Sequence, residues 1–242
     1  MPMAKRFPTT RLSAVEALKD PDQESRTRAY DTILNCYWKP AYKYIRLKWN
    51  ASPDDAEDLT QGFFAIAFEK KYLERYDVEQ ARFSAFLRVC IDRFIANQLK
   101  FNRRVKRHPV GQLPLDFDSA ESEIALNKTA ADLSMEEFFE REWVRSLVER
   151  SITDLKRECI SQHKPVHFSL FKRYNLDETF GDDTVSYKTL ANEFGLSTVT
   201  VTNYLASVRR DFRRILLQNL RDITASASEY RQEARRLFGM EL

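Results

Sequence analysis

Apolar positions recur every three or four residues along most of the chain, the period of a helix with one buried face. The clearest run, Phe83, Phe86, Leu87, Cys90, Ile91, Phe94 and Ile95, predicts a helix whose far side carries Arg93, Asn97, Lys100 and Arg104. At the helical rise those four span about 16 Å along the axis. Such a stripe can follow a phosphate backbone while Asn97 reaches a base edge. Upstream, Leu59, Phe63, Phe64, Ala67 and Phe68 predict another helix, opened by Ser52-Pro53-Asp54-Asp55. Ser or Asp can cap its free N–H groups, Pro fits its first turn, and carboxylates favour the positive end of its dipole. Asp55, Asp58 and Gln61 fall together on a different face from the apolar run.

Ile33, Leu34, Tyr37, Trp38, Tyr42 and Ile45 predict a further helix pair between Tyr30 and Trp49, with its aromatic side chains in a core. The segment from Lys71 to Arg82, containing Tyr72, Tyr76 and Asp77, has no clear period and reads as a loop.

In the second half, Trp143, Val144, Leu147, Val148, Ile152 and Leu155 predict one helix, and Phe168 to Tyr174 another. The most specific local pattern follows, from Tyr187 to Leu205. A short helix with the small Ala191 leads to Gly195, which can take the positive φ of a tight turn. Ser197 then caps a second helix, and together these spell helix-turn-helix. The second helix buries Val201, Leu205, Val208, Phe212 and Ile215. Its other face offers Thr198, Thr200, Thr202, Asn203, Ser207 and Arg210, with Arg209, Arg213 and Arg214 alongside. Polar side chains at the start of such a helix reach bases in the major groove, and the later arginines neutralise phosphates.

Composition narrows the chemistry. The 242 residues contain only five glycines, too few for Gly-rich phosphate loops. A mean hydropathy of -0.53 and a longest apolar run from Phe63 to Phe68 leave no candidate membrane span. No apolar segment follows Lys5 and Arg6, so no secretory signal is expected and a cytoplasmic location is. Cys36, Cys90 and Cys159 form no CxxC pair and are expected to be reduced core residues.

The net charge of +3 hides a segregation along the chain. Asn50 to Ala81 carries -5, Arg82 to Arg107 +7, His108 to Glu142 -7 and Lys188 to Arg221 +4. Two basic blocks separated by an acidic, loop-like stretch (Pro109, Gly111, Pro114, then Asp116, Asp118, Glu121 and Glu123) suggest two domains that each meet a polyanion, joined by a linker.

At Asp55-Ala-Glu-Asp-Leu-Thr-Gln61 with Phe63-Phe64, and at Phe83-Ser-Ala-Phe-Leu87 running into Arg103-Arg104, the chain resembles region 2 of bacterial sigma factors. The likeness is to the extracytoplasmic-function group of the sigma-70 family, and Tyr187 to Ile215 resembles its region 4. Phe7-Pro-Thr-Thr-Arg11 and Tyr37-Trp38-Lys-Pro40 look like one subgroup. The resemblance implies an all-α protein of two helical domains, here 1–107 and 142–242, joined by a flexible acidic linker, 108–141.

It further implies that Asp55, Asp58 and Gln61 engage the coiled-coil clamp of core RNA polymerase. The Tyr72 and Tyr76 loop would capture a flipped base of the promoter minus-10 element, while Arg93, Asn97, Lys100, Arg103 and Arg104 track that element. Thr202, Asn203, Ala206, Ser207 and Arg209 would face the minus-35 major groove. A sequestering anti-sigma protein is a further implied partner. No cofactor, metal or covalent chemistry is implied.

Gly62, Phe86 and Asp92-Arg93 depart from the family pattern, and the Thr-rich recognition helix leaves the minus-35 sequence unreadable. The tail, 222–242, is expected to be an amphipathic helix that packs on the second domain or, as the alternative, docks a regulator. His163-Lys-Pro-Val-His167 is a weak zinc pair because Pro165 interrupts the helix that would align it. The rival reading is a helix-turn-helix regulator that binds an operator without polymerase.

Overall fold

A computed structural model describes residues 12–101, 115–126, 133–177 and 185–239, which are helical with no strand among them. The helices in chain order are α1 (Ala14–Ala17), α2 (Gln23–Lys48), α3 (Pro53–Glu69), α4 (Phe83–Phe101), α5 (Phe117–Leu126) and α6 (Met135–Ser161). They continue as α7 (Pro165–Asn175), α8 (Tyr187–Phe194), α9 (Thr198–Asp222) and α10 (Ala227–Phe238). The described residues form two compact units. One holds those up to Ser146 together with those from Leu220 onward; the other is Leu147–Asn219.

The first unit is built around α2. Where two helices were expected between Tyr30 and Trp49, one helix of 26 residues runs straight through Pro40. Its Tyr37 ring stacks on Trp143 at 6.1 Å and meets Phe83 edge-on at 5.6 Å, while Tyr44 meets Phe139 at 5.4 Å. Helices α2, α4 and α6 thus share one aromatic core. Helix α3 starts as its sequence predicts, with Ser52 Oγ accepting from the N–H of Asp55 at 3.1 Å and Pro53 in the first turn. The loop from Lys71 to Arg82 contains one turn of 3-10 helix, Tyr72–Arg75, entered through Lys71 at φ 53°.

The stretch expected to be a flexible linker contains α5, and α5 is docked on α2. Phe117 lies 5.4 Å from the Trp38 ring and 5.1 Å from that of Tyr42. Arg46 donates to both oxygens of Glu121, at 2.9 and 2.5 Å, and Tyr42 donates to the same carboxylate at 2.8 Å. Buried Lys43 reaches Glu123 and Glu142, each at 2.5 Å. Charge neutralisation holds the acids that composition alone places in solvent.

The second unit closes over Leu155, Leu170, Phe171, Leu190, Val201, Leu205 and Val208. Helix α8 is capped by Ser186 and stops at Gly195, whose φ of 63° lies in the left-handed region that glycine adopts without penalty. Ser197 Oγ accepts from the N–H of Thr200 at 3.0 Å and opens α9. The short helix, tight turn and long second helix form where the sequence predicts them.

The tail departs from expectation. The second domain was expected to extend over 142–242, but α10 belongs to the first unit.

Candidate functional site

In the first unit, α3, the loop after it and α4 surround an open cleft of about 2490 Å³. Asp55, Asp58 and Gln61 line it from α3, Tyr72 from the loop, and Arg93 and Asn97 from α4. The fold therefore brings together six residues to which the resemblance assigns three separate roles. The α3 side carries acids, Asp55, Glu57 and Asp58; the α4 side carries bases, Arg88 and Arg93; Ile66, Phe86 and Val89 add apolar surface to the lining. The helices touch at the base, where the Phe63 and Phe94 rings stand 5.7 Å apart and a Cβ on Gly62 would lie 3.5 Å from Phe94.

Asp55 and Asp58 are exposed, and the Asp55 carboxylate accepts from the Ser52 hydroxyl at 2.7 Å. Gln61 differs from its expectation: it is only 6% exposed and donates to Glu57 Oε1 at 2.9 Å. The buried stripe of Thr60, Gly62, Phe63 and Phe64 widens to include it, which leaves its amide tied to its own helix.

Arg93 and Asn97 are exposed on α4 as the period predicts. Their register is set by the adjacent Asp92, which turns the other way. Its carboxylate accepts from the Tyr44 hydroxyl at 3.0 Å, from Lys48 at 2.8 Å and from the Trp49 indole at 3.3 Å, and Arg88 stands 3.6 Å away. Sequence reading noted Asp92 only as a departure from a family pattern, whereas it anchors α4 to α2. Lys100 lies in α4, but its side chain, Arg103 and Arg104 fall outside the described residues.

Tyr72 is half-buried with the Arg75 guanidinium 5.9 Å from its ring. Tyr76 contradicts its predicted role as an open base-capturing ring, being 4% exposed. It packs edge-on against Phe83 at 5.1 Å, and its single hydroxyl proton is shared between two acceptors, the carbonyl of Ala81 at 2.9 Å and Glu229 at 3.2 Å. Burial, with the Glu229 carboxylate beside it, pushes its pKa well above the ordinary phenol value. Cys90, in the cleft wall, is also pushed up by burial despite Arg93 and Arg75 nearby, so it is no reactive thiolate.

In the second unit, Thr198, Thr202, Asn203, Ala206 and Arg210 are exposed on α9. Val199, unremarked in the sequence, is 69% exposed in the same first turn. An apolar residue among threonines at a capped helix start was the available signal, and a thymine methyl is a contact it can make. Thr200 is half-buried with its hydroxyl paired to that of Ser197 at 2.8 Å, and Ser207 is half-buried too.

Arg209 is less open than its neighbours. Its guanidinium lies 4.9 Å from the Tyr174 ring and donates to the Tyr187 hydroxyl at 3.3 Å, bracing α9 against α7 and α8. Arg214 pairs with Glu158, while Arg210 and Arg213 stand exposed. The His167 ring stacks on Tyr204 at 3.9 Å, and burial with Lys164 nearby holds it below the usual imidazole value. Among the described residues no group of three or more His, Cys, Asp or Glu side chains is placed to hold a metal ion, and no helix is long and apolar enough to cross a membrane.

Compared with models of known protein families, with curated proteins and with solved structures, the chain matches none.

Proposed function

We propose that this chain is a sigma-type initiation factor, which binds core RNA polymerase through its first unit and directs it to promoters with both units. The observation that carries the reading is the cleft, in which Asp55 and Asp58 stand on one wall and Arg93 and Asn97 on another. A basic partner helix suits the acidic wall, and a nucleic-acid strand suits the basic one. A DNA-binding regulator that needs only its helix-turn-helix has no use for both. The exposed first turn of α9 supports major-groove contact by Thr198, Val199, Thr202 and Asn203, with Arg210 and Arg213 on phosphates.

Gln61 takes no direct part in this reading because it is buried, and Tyr76 takes none while it is covered, at 4% exposed. Strand separation uses stacking and electrostatic capture with no covalent chemistry by this chain. It acts in the cytoplasm with the polymerase, and an anti-sigma protein that covers the cleft or the α9 face holds it inactive.

The test is run-off transcription with purified core polymerase on fragmented host DNA, comparing wild type with Asp58→Lys. Discrete start sites that the variant loses support the reading. Tight DNA binding by the wild type without initiation overturns it in favour of an operator-binding regulator. Co-purification from the host under non-inducing conditions tests the sequestering partner, and recovery of polymerase alone would count against it.

A further inference from the structure

Tyr76 and the start of α4 are closed off by α10, and the closing face is unusual. Helix α10 begins at Ser226, whose hydroxyl accepts from the N–H of Glu229 at 3.0 Å, and ends at Gly239. Its apolar side chains Tyr230, Leu237 and Phe238 are only half-buried, whereas Glu229 and Glu233 are buried. Glu229 accepts from the Tyr76 hydroxyl at 3.2 Å, from the N–H of Phe83 at 3.4 Å and from the N–H of Ala225 at 2.6 Å. Phe83 is the first residue of α4, so this carboxylate sits on the positive end of that helix. Glu233 pairs with Arg82 at 3.0 Å and with Arg236 at 2.6 Å, and Arg236 also reaches Glu140 at 3.0 Å.

A tail helix that served only to complete a core would bury leucines. This one buries two carboxylates against a helix N-terminus, a tyrosine hydroxyl and an arginine, three groups that each favour an anion. They also occupy the loop where a nucleic-acid strand would arrive. We propose that α10 is an autoinhibitory cover: Glu229 and Glu233 hold the Tyr76 segment closed, and single-stranded DNA displaces the helix by offering its phosphates to Arg82 and the α4 N-terminus and its bases to Tyr76. This inference rests on the function proposed above.

The apparent affinity of a site is reduced by the fraction of molecules in which it is open. A closed form favoured about ten to one therefore weakens strand binding about tenfold. The full-length protein is compared with two variants. Arg236→Glu sets like charges against Glu140 and Glu233, and Ala234→Pro breaks α10 from within. Hydrogen exchange at residues 76–83 reads the cover, and fluorescence anisotropy with a labelled random-sequence single-stranded oligonucleotide reads the site.

Both variants are expected to exchange faster at 76–83 and to bind the oligonucleotide about tenfold tighter. Saturating oligonucleotide on the wild type is expected to speed exchange across 227–238. Unchanged or weaker binding by a folded variant overturns the proposal. Should Ala234→Pro fail to fold, Arg236→Glu and the wild-type exchange carry the test, and α10 exchange indifferent to the oligonucleotide overturns it equally. Run-off transcription separates the two claims. If no form initiates but the cover behaves as described, the sigma reading falls alone. If the wild type initiates while the variants bind the strand no better, the cover falls alone.

Discussion

Replacing Lys43 by Met removes a charge from the middle of the first unit with little change of volume. Lys43 Nζ lies 2.5 Å from Glu123 and 2.5 Å from Glu142, and both the Lys43 and Glu142 side chains are 1% exposed. Glu123 is 25% exposed and keeps Lys39 at 2.6 Å, so it adapts. Glu142 is buried, and among the described residues Arg145 remains beside it at 3.4 Å. Stripping one partner from a buried ion pair costs about 3–5 kcal/mol, and the Arg145 contact places this case near the lower figure, about 3 kcal/mol. That is a large share of the stability of an ordinary domain.

Urea unfolding followed by tryptophan fluorescence is the assay, because all three tryptophans, Trp38, Trp49 and Trp143, belong to the first unit. Adding Glu142→Leu to Lys43→Met should restore most of the loss, since an apolar pair of similar volume needs no counter-charge. A loss under about 1 kcal/mol for Lys43→Met, or simple addition of the two single losses, would refute the assignment of this network to the core.

Acid should weaken the same unit. Bonds from Arg46 hold the Glu121 carboxyl below its ordinary value against the opposing pull of burial. Burial alone would raise Glu123, but Lys39 and Lys43 outweigh it and leave it lowered as well. Carboxylates depressed in the fold contribute stability above their ordinary value of 4.5 and lose it as the pH falls through the folded value. Fluorescence-detected stability that stays level below that point would contradict this. Gly62 and Gly195 should respond with opposite signs in thermal melts followed by circular dichroism. Gly195→Ala, at φ 63°, should destabilise by about 1–2 kcal/mol, and Gly62→Ala, inside α3 with only an ordinary contact to Phe94, should stabilise by about 0.5–1 kcal/mol. On DNA selected from a random library, Arg210→Ala should lower the salt dependence of binding by about one counterion, whereas Asn203→Ala should relax base discrimination by about 1–3 kcal/mol.

Features set by local chemistry were legible in the sequence. The period of α4 placed Arg93 and Asn97 on an open face, and Gly195 with Ser197 placed the turn before α9, because each depends on residues within one or two turns. Features set by distant pairing were not legible. Pro109, Gly111 and Pro114 beside a run of acids read as a linker, and only the Lys39, Lys43 and Arg46 face of α2 turns that run into a docked helix. Tyr76 carried the polar surroundings of an exposed ring, and its burial depends on Glu229, which lies 153 residues further along the chain. Gln61 sat at the edge of an apolar stripe whose width a period does not specify.

The same pairing changes what charge segregation implies about partners. Read linearly, the blocks suggest two basic surfaces and an acidic spacer, but in the folded first unit acids and bases from distant segments meet. Glu121 and Glu123 neutralise α2, Glu136 reaches Arg88 at 2.7 Å, and Glu233 reaches Arg82 at 3.0 Å. Of the block's basic residues that the structure describes, Arg82 and Arg88 are thus paired with distant acids, and Arg93 stands exposed on α4. A polyanion bound at Arg93 shares the cleft with Asp55 and Asp58, which repel it from the α3 wall. Binding of a strand at Arg93 by this unit alone should accordingly be opposed by the α3 wall. A cleft partner that neutralised Asp55 and Asp58 would strengthen it, which couples partner binding to DNA binding through electrostatics alone.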